Sequence, residues 1–159
     1  MFGIKMDSDQ PVCRRMRASD LDFVVENEEQ SYPNPWSRRI FLDCLRAGYE
    51  CWVLVTRDRV LAHGVLSAAV GESHLLTLCV APRERRKAYG RRMLEHLLKE
   101  ARRLGAEFCY LEVRPSNMPA RTLYYSMGFV QVGERSQYYP AGNGSSVRED
   151  ALLLSCDLK

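Results

Sequence analysis

An apolar, strand-favouring run from His74 to Val80 stops at Pro82, and a basic loop then leads into a helix pattern. In that helix Met93, Leu94, Leu97, Leu98, Ala101 and Leu104 recur at helical spacing. Glu107 to Val113 reads as the next strand. A strand that follows another through one helix lies parallel to it, by a right-handed crossover. The loop is the chemical centre of the unit, because six of the ten residues from Arg83 to Arg92 are Arg or Lys. Free N–H groups at a helix start, the positive end of its dipole and those cations converge on one place, which suits a phosphate.

Two phosphate motifs fail on this loop. There is no GxxxxGKS/T for a nucleoside triphosphate and no GxGxxG for a dinucleotide. A net charge of +3 is too small for general nucleic-acid binding. Cys13, Cys44, Cys51, Cys79, Cys109 and Cys156 are scattered without a CxxC pair, so they read as small buried apolar residues rather than a disulfide framework. With only His63, His74 and His96 to assist them, no metal site is expected. Residues 1–10 read as a flexible lead without the hydrophobic core of a secretory signal, and no apolar stretch approaches the ~20 residues of a membrane span, so a cytoplasmic protein is expected.

The remaining elements fall on either side of this unit and predict one domain over residues 11–159. Pro11 to Arg17 reads as an edge strand. Ser19, with Asp22 three residues on, is placed to cap a helix carrying Leu21, Val24, Val25 and Glu28. The segment Tyr32-Pro33-Asn34-Pro35-Trp36 ends that helix, and Ser37 caps a second one that stops at Gly48. Cys51–Thr56, Val60–Val70 and Ser73–Val80 form an antiparallel meander. Gly105 closes the central helix. Asn117 caps a last helix that ends at Gly128, and the strands 129–135 and 151–157 are joined by a polar loop at 141–146. The class is α/β, in the order β, α, α, β, β, β, α, β, α, β, β.

The loop Arg85-Arg86-Lys87-Ala88-Tyr89-Gly90 resembles the Gln/Arg-x-x-Gly-x-Gly/Ala pyrophosphate loop of the GNAT N-acetyltransferases, with Ala88 where that family has its first glycine. PWS at 35–37, LEVRPSN at 111–117, LYYSMGF at 123–129, YYP at 138–140 and EDALLL at 149–154 are similar to the bacterial branch that acetylates the N-terminal alanine of a ribosomal protein. The resemblance covers nearly the whole chain from Cys13. It implies the GNAT fold, a mixed sheet of about seven strands splayed at the cofactor site and flanked by about four helices. It also implies acetyl-CoA as co-substrate, with Leu78, Cys79 and Val80 meeting the pantetheine arm. Arg85, Arg86, Lys87, Ala88, Tyr89, Gly90 and Arg91 would wrap the pyrophosphate, and Asn117 would contact CoA. By the same resemblance Glu112 is the proton acceptor and Tyr124 the donor to the leaving sulfur.

Acetyl transfer from a thioester to an amine needs a base, an N–H for the tetrahedral oxyanion and an acid for the thiolate. Strand alternation puts Glu112 on one face with Tyr110 and Phe108, at the C-terminal end of a parallel strand where such sheets place ligands. The Val80 N–H is a candidate oxyanion donor. Tyr32, Trp36, Tyr138 and Tyr139 are aromatics on proline-stiffened segments, suited to line a slot for the N-terminal segment of a protein substrate, with Glu149 and Asp150 offering charge to a basic one. Two other readings stay open. One is a related transferase acting on lysine side chains, other N termini or a small amine. The other is a non-catalytic module that contacts ribosomal RNA through Arg83–Arg92, although no RNA-binding motif is present.

Overall fold

The computed structural model describes residues 10–57, 59–141 and 147–159. The expected lead at residues 1–9, Asp58 in the first hairpin and residues 142–146 of the polar loop lie outside the described residues. Seven strands form one sheet: β1 Val12–Arg15, β2 Glu50–Thr56, β3 Arg59–Ala69, β4 Glu72–Val80, β5 Phe108–Val113, β6 Val130–Tyr139 and β7 Glu149–Asp157. Their spatial order is β1-β2-β3-β4-β5-β7-β6. All neighbours are antiparallel except β4 and β5, the pair that the crossover predicted to be parallel. The helices are α1 Leu21–Ser31, α2 Arg38–Arg46, α3 Tyr89–Arg103 and α4 Met118–Ser126. No helix among the described residues is long and apolar enough to cross a membrane.

Helices cover both faces of the sheet, so the middle strands are buried almost continuously, as in β3. On one face α3 inserts Met93, Leu94, Leu97, Leu98 and Ala101 against Leu61, Ala62 and Leu66 of β3 and Leu78 of β4. Each fully buried leucine there contributes on the order of 2 kcal/mol. The approach is close at Gly64, where a Cβ would stand 2.5 Å from Leu97 Cδ1. On the other face Leu21 and Val24 of α1 and Phe41 of α2 pack on Val53, Val60 and Val65. Leu104 was expected on the apolar stripe of α3, but it lies beyond the last turn and is exposed.

β4 and β5 pair for three residues only, Glu72 with Phe108, Ser73 with Cys109 and His74 with Tyr110, and then diverge. The register of β4 with β3 slips just past that point: Thr77 faces Val65 and Leu75 faces Leu66, leaving Leu76 as the extra residue of a bulge. A bulge bends its strand. From Leu75 on, β4 follows β3, while Leu111, Glu112 and Val113 stay paired with β7. The wedge between them opens toward the C-terminal ends of both strands.

The helix ends show where local chemistry prevailed. Ser37 Oγ accepts from the Ile40 N–H at 3.3 Å, and Asn117 Oδ1 accepts from the Ala120 N–H at 3.3 Å, as their caps predicted. The Ser19 cap with Asp22 is not formed. A 3-10 turn over Ala18–Asp20 precedes α1, and Asp20 does the capping by accepting from the Arg17 N–H at 2.7 Å. Arg14 outcompetes the simpler box because its guanidinium grips both oxygens of Asp20 at 2.8 Å. That bidentate contact holds the Asp20 carboxyl below the ordinary carboxylate range, against the opposing effect of burial. Asp20→Asn is expected to cost about 1–2 kcal/mol at neutral pH, read by denaturant titration. The difference from the parent protein should persist above ~4, the unfolded value, and vanish as pH falls through the lower folded value.

Candidate active site

The wedge is filled by two adjoining cavities of about 540 and 770 Å³. The larger lies over the turn into α3. Leu78, Cys79 and Val80 of β4, Arg85, Arg86, Ala88, Tyr89, Gly90 and Arg91, and Asn117 and Leu123 near α4 line it. The smaller lies between β4 and β5 and is lined by Tyr32, Trp36, Glu112, Arg114, Tyr138, Tyr139 and Arg148, with Glu28 also among its walls. Tyr32, Leu78, Asn117 and Tyr124 line both cavities, so the two meet at the tyrosine ring of α4.

At the larger cavity the backbone turns sharply. Arg86 and Ala88 are left-handed, at φ 65° and 63°, and Ala88 is the N-cap of α3 without any side-chain cap. The first amides of α3 therefore open toward the cavity instead of into a cap. The cations around them divide. Arg85, Arg86 and Arg91 line the cavity together with Glu84, whereas Lys87 is not among the lining residues and pairs with Glu84 at 2.7 Å. Lys87 was expected among the pyrophosphate-wrapping residues; its ammonium is instead engaged by the buried Glu84 of the cavity lining, which Arg59 also approaches at 3.4 Å. Arg91 donates to Ser126 Oγ at 2.6 Å and so ties α3 to α4 at the cavity edge.

On β4 the Leu78 carbonyl, one of the groups left without a β5 partner, accepts a hydrogen bond from the Tyr32 hydroxyl. Burial pushes the Tyr32 phenol well above its usual value. Cys79 lies beside it, its thiol donating to Ser31 Oγ at 3.3 Å and pushed up to about 12 by burial. Glu28 and His63 bring their ligand atoms within 4.8 Å of the Cys79 sulfur and of one another, a cluster that scatter along the sequence concealed. Its donors are already engaged. The protonated thiol and a 2.7 Å contact between His63 Nε2 and Glu28 Oε2 make it a hydrogen-bonded group of buried side chains.

In the smaller cavity Glu112 emerges from β5 half-buried, on the same strand face as Tyr110 and Phe108, and its Oε1 lies 3.5 Å from the Arg135 guanidinium of β6. Arg135 also sits 5.3 Å over the Tyr138 ring, and Arg114 sits 4.4 Å over Tyr139. Burial and the nearby Glu112 carboxylate raise the Tyr139 phenol. Tyr124 is buried against Phe129 at 5.7 Å between ring centroids, and burial raises its phenol too, so it carries its proton at neutral pH. Tyr125, one position on, is exposed and lies under Arg121. Trp36 packs on Phe41 at 5.3 Å and fixes the α1–α2 segment as one wall.

Glu149 and Asp150 do not offer free charge to a substrate. Glu149 accepts from the Ser116 N–H and hydroxyl, both at 2.9 Å, and pairs with Arg114 at 3.4 Å. Burial acts to raise its carboxyl, and these partners together bring it below the ordinary value. Asp150 Oδ1 accepts from the Gln137 N–H at 2.8 Å and holds the irregular end of β6. The two acids brace the wall that carries Tyr138 and Tyr139.

Residues 17–129 match the model of the acetyltransferase (GNAT) family. The chain belongs to the GNAT acetyltransferase family. Over 140 residues, 88% of this chain and 93% of the other, it is 31% identical to the ribosomal protein bS18 alanine N-acetyltransferase of Escherichia coli K12. The counterpart from Salmonella typhimurium is 32% identical over the same length. The crystal structure of the Escherichia coli ribosomal-protein-S18-alanine N-acetyltransferase superposes with a TM-score of 0.85 at 29% identity, covering 94% of this chain and 95% of that one. The seven-stranded sheet and four helices are thus those of a GNAT acetyltransferase.

The GNAT loop explains what Ala88 costs. A residue with a Cβ at φ 63° is strained by roughly 1–2 kcal/mol. Ala88→Gly removes that strain but adds freedom to the unfolded chain, so a net gain of about 0.5–1 kcal/mol is expected, seen as a melting temperature higher by ~2–4 °C. A lower melting temperature would show that the left-handed turn is not the folded conformation at this residue.

Proposed function

We propose that this chain transfers the acetyl group of acetyl-CoA to the N-terminal α-amine of a protein, with alanine at the N terminus of a ribosomal protein as the acceptor. The observation that carries the reading is the meeting of the two cavities at Tyr124, with Glu112 in the smaller one and the left-handed basic turn at the larger. The relatives' activity on bS18 supports the choice of acceptor.

In this reading CoA lies in the larger cavity, its pantetheine arm along Leu78, Cys79 and Val80. Its pyrophosphate faces Arg85, Arg86, Arg91 and the amides around Ala88, Tyr89 and Gly90, while Asn117 closes the far side. The acceptor's first residues enter the smaller cavity between Tyr32, Trp36, Tyr138 and Tyr139. Glu112 takes a proton from the ammonium, and the neutral amine attacks the thioester carbonyl. The Val80 N–H donates to the developing oxyanion, and the C–S bond breaks as Tyr124 hands its proton to the CoA sulfur. The second proton of the attacking nitrogen passes to the phenolate, leaving a neutral amide, free CoA thiol and the phenol restored. A peptide α-amine titrates near ~8 and a lysine amine near ~10.4, so a carboxylate base suits the former better at neutral pH.

Release of CoA from acetyl-CoA is expected with a short peptide bearing a free N-terminal alanine and not with an N-blocked, lysine-containing one. Glu112→Gln and Tyr124→Phe should each lower kcat/KM by roughly 10²–10⁴-fold with acetyl-CoA affinity retained. Turnover of the lysine peptide alone would move the acceptor to the side-chain class. Full activity of Glu112→Gln would remove Glu112 as base.

A further inference from the structure

Glu28 is the second carboxylate of the acceptor cavity, and nothing in the proposed chemistry uses it. It projects from the sheet-facing side of α1, its side chain 3% exposed, and lines the same cavity as Glu112. The partners of the two differ. Glu112 has the Arg135 guanidinium at 3.5 Å, whereas among the described residues Glu28 has no Lys or Arg nitrogen within 4.0 Å. Its oxygens meet His63 Nε2 at 2.7 Å and Thr77 Oγ1 at 3.2 and 3.4 Å.

The charge of this group follows from its hydrogen bonds. His63 is fully buried, and among the described residues its Nδ1 has no partner. A proton on Nδ1 would be a buried donor without an acceptor, which folded proteins avoid more strictly than an unpaired acceptor. The ring proton therefore sits on Nε2 and is donated to Glu28, and the imidazole is neutral. Thr77 donates a second, neutral hydrogen bond. The carboxylate is thus held by two neutral donors in a water-poor place, a state that a cation in the cavity would complete. Arg85, which lines the cofactor side, donates to Ser31 Oγ at 3.1 Å.

We infer that Glu28, positioned by His63 and Thr77, is the amine-recognition residue of this site and binds the N-terminal ammonium of the acceptor before Glu112 deprotonates it. The inference rests on the N-terminal-amine reading and adds how the site selects a free amine. It divides two tasks between two carboxylates. Glu28, held rigidly and, among the described residues, without a Lys or Arg nitrogen within 4.0 Å, attracts the charged amine. Glu112, facing Arg135 at 3.5 Å, has less to gain from holding a second cation and keeps the separate task of proton acceptor that the proposed chemistry gives it.

The test is binding to the CoA-loaded enzyme of two peptides, one with a free N-terminal alanine and one with a propionyl group in its place, identical but for the ammonium. The parent enzyme should prefer the free amine at least tenfold. Glu28→Gln should reduce that preference to within about twofold and raise peptide KM far more than it changes kcat, with affinity for CoA and melting temperature retained. Glu112→Gln should keep most of the preference while losing turnover. If Glu28→Gln does not bind CoA, Glu28→Asp, which withdraws the charge by one methylene, should lower the preference at least threefold. A parent enzyme without preference, or a preference kept in the folded Glu28 variant and lost in Glu112→Gln, overturns the inference. Binding of CoA but of neither peptide overturns the N-terminal-amine reading itself, and this inference with it.

Discussion

The parallel pairing of β4 with β5 ends after His74 and Tyr110, and the site exists because it ends there. In a continuous sheet the outer edge of β4 from Leu75 to Val80 would be satisfied by β5. Here the bulge at Leu76 bends β4 away with β3, and β5 remains bound to β7 through Val113. Main-chain groups buried in this gap need other partners. Tyr32 supplies one for the Leu78 carbonyl, and an extended ligand lying along β4 would supply the rest, as a peptide does at an open sheet edge. Helices on both faces give the sheet enough buried apolar contact to tolerate the opening.

The polar groups around the gap are assigned by burial and by partner. Glu149 is consumed by Ser116 and Arg114 and serves as a brace. Glu112 is half-buried with a guanidinium nearby. Glu28 is almost fully enclosed with neutral donors. These three carboxylates line or border one pair of cavities and differ in charge balance, which lets neighbouring acids take different roles. Tyr124 stands where the cavities meet, and burial keeps its phenol protonated.

Much of this was legible in the chain itself. The stripe from Met93 to Ala101, the caps at Ser37 and Asn117 and the glycines at 48, 105 and 128 are local signals, and the structure keeps them because tertiary packing agrees with them. Local rules failed where a distant group intervened. Arg14 recruited Asp20 and displaced the Ser19 cap, and Glu84 engaged the Lys87 ammonium. β6 extends to Tyr139 instead of stopping near Arg135, because Asp150 and Arg148 bond its irregular backbone at Gln137 and Tyr138. The cluster of Glu28, His63, Thr77 and Cys79 joins α1, β3 and β4, so no spacing in the sequence reveals it. One trace was present: Glu28 falls on the helical stripe of Leu21 and Val24, a charge at a position whose neighbours are buried.

The central claim is that CoA occupies the gap between β4 and β5. Amide hydrogen exchange with and without CoA tests it directly, since slow exchange reports hydrogen-bonded or excluded amides. The account predicts new protection at the Leu78 and Val80 amides and at 89–91, with 72–74, already paired to β5, unchanged. Tight CoA binding that leaves the Leu78 and Val80 amides unprotected and slows exchange elsewhere would contradict it.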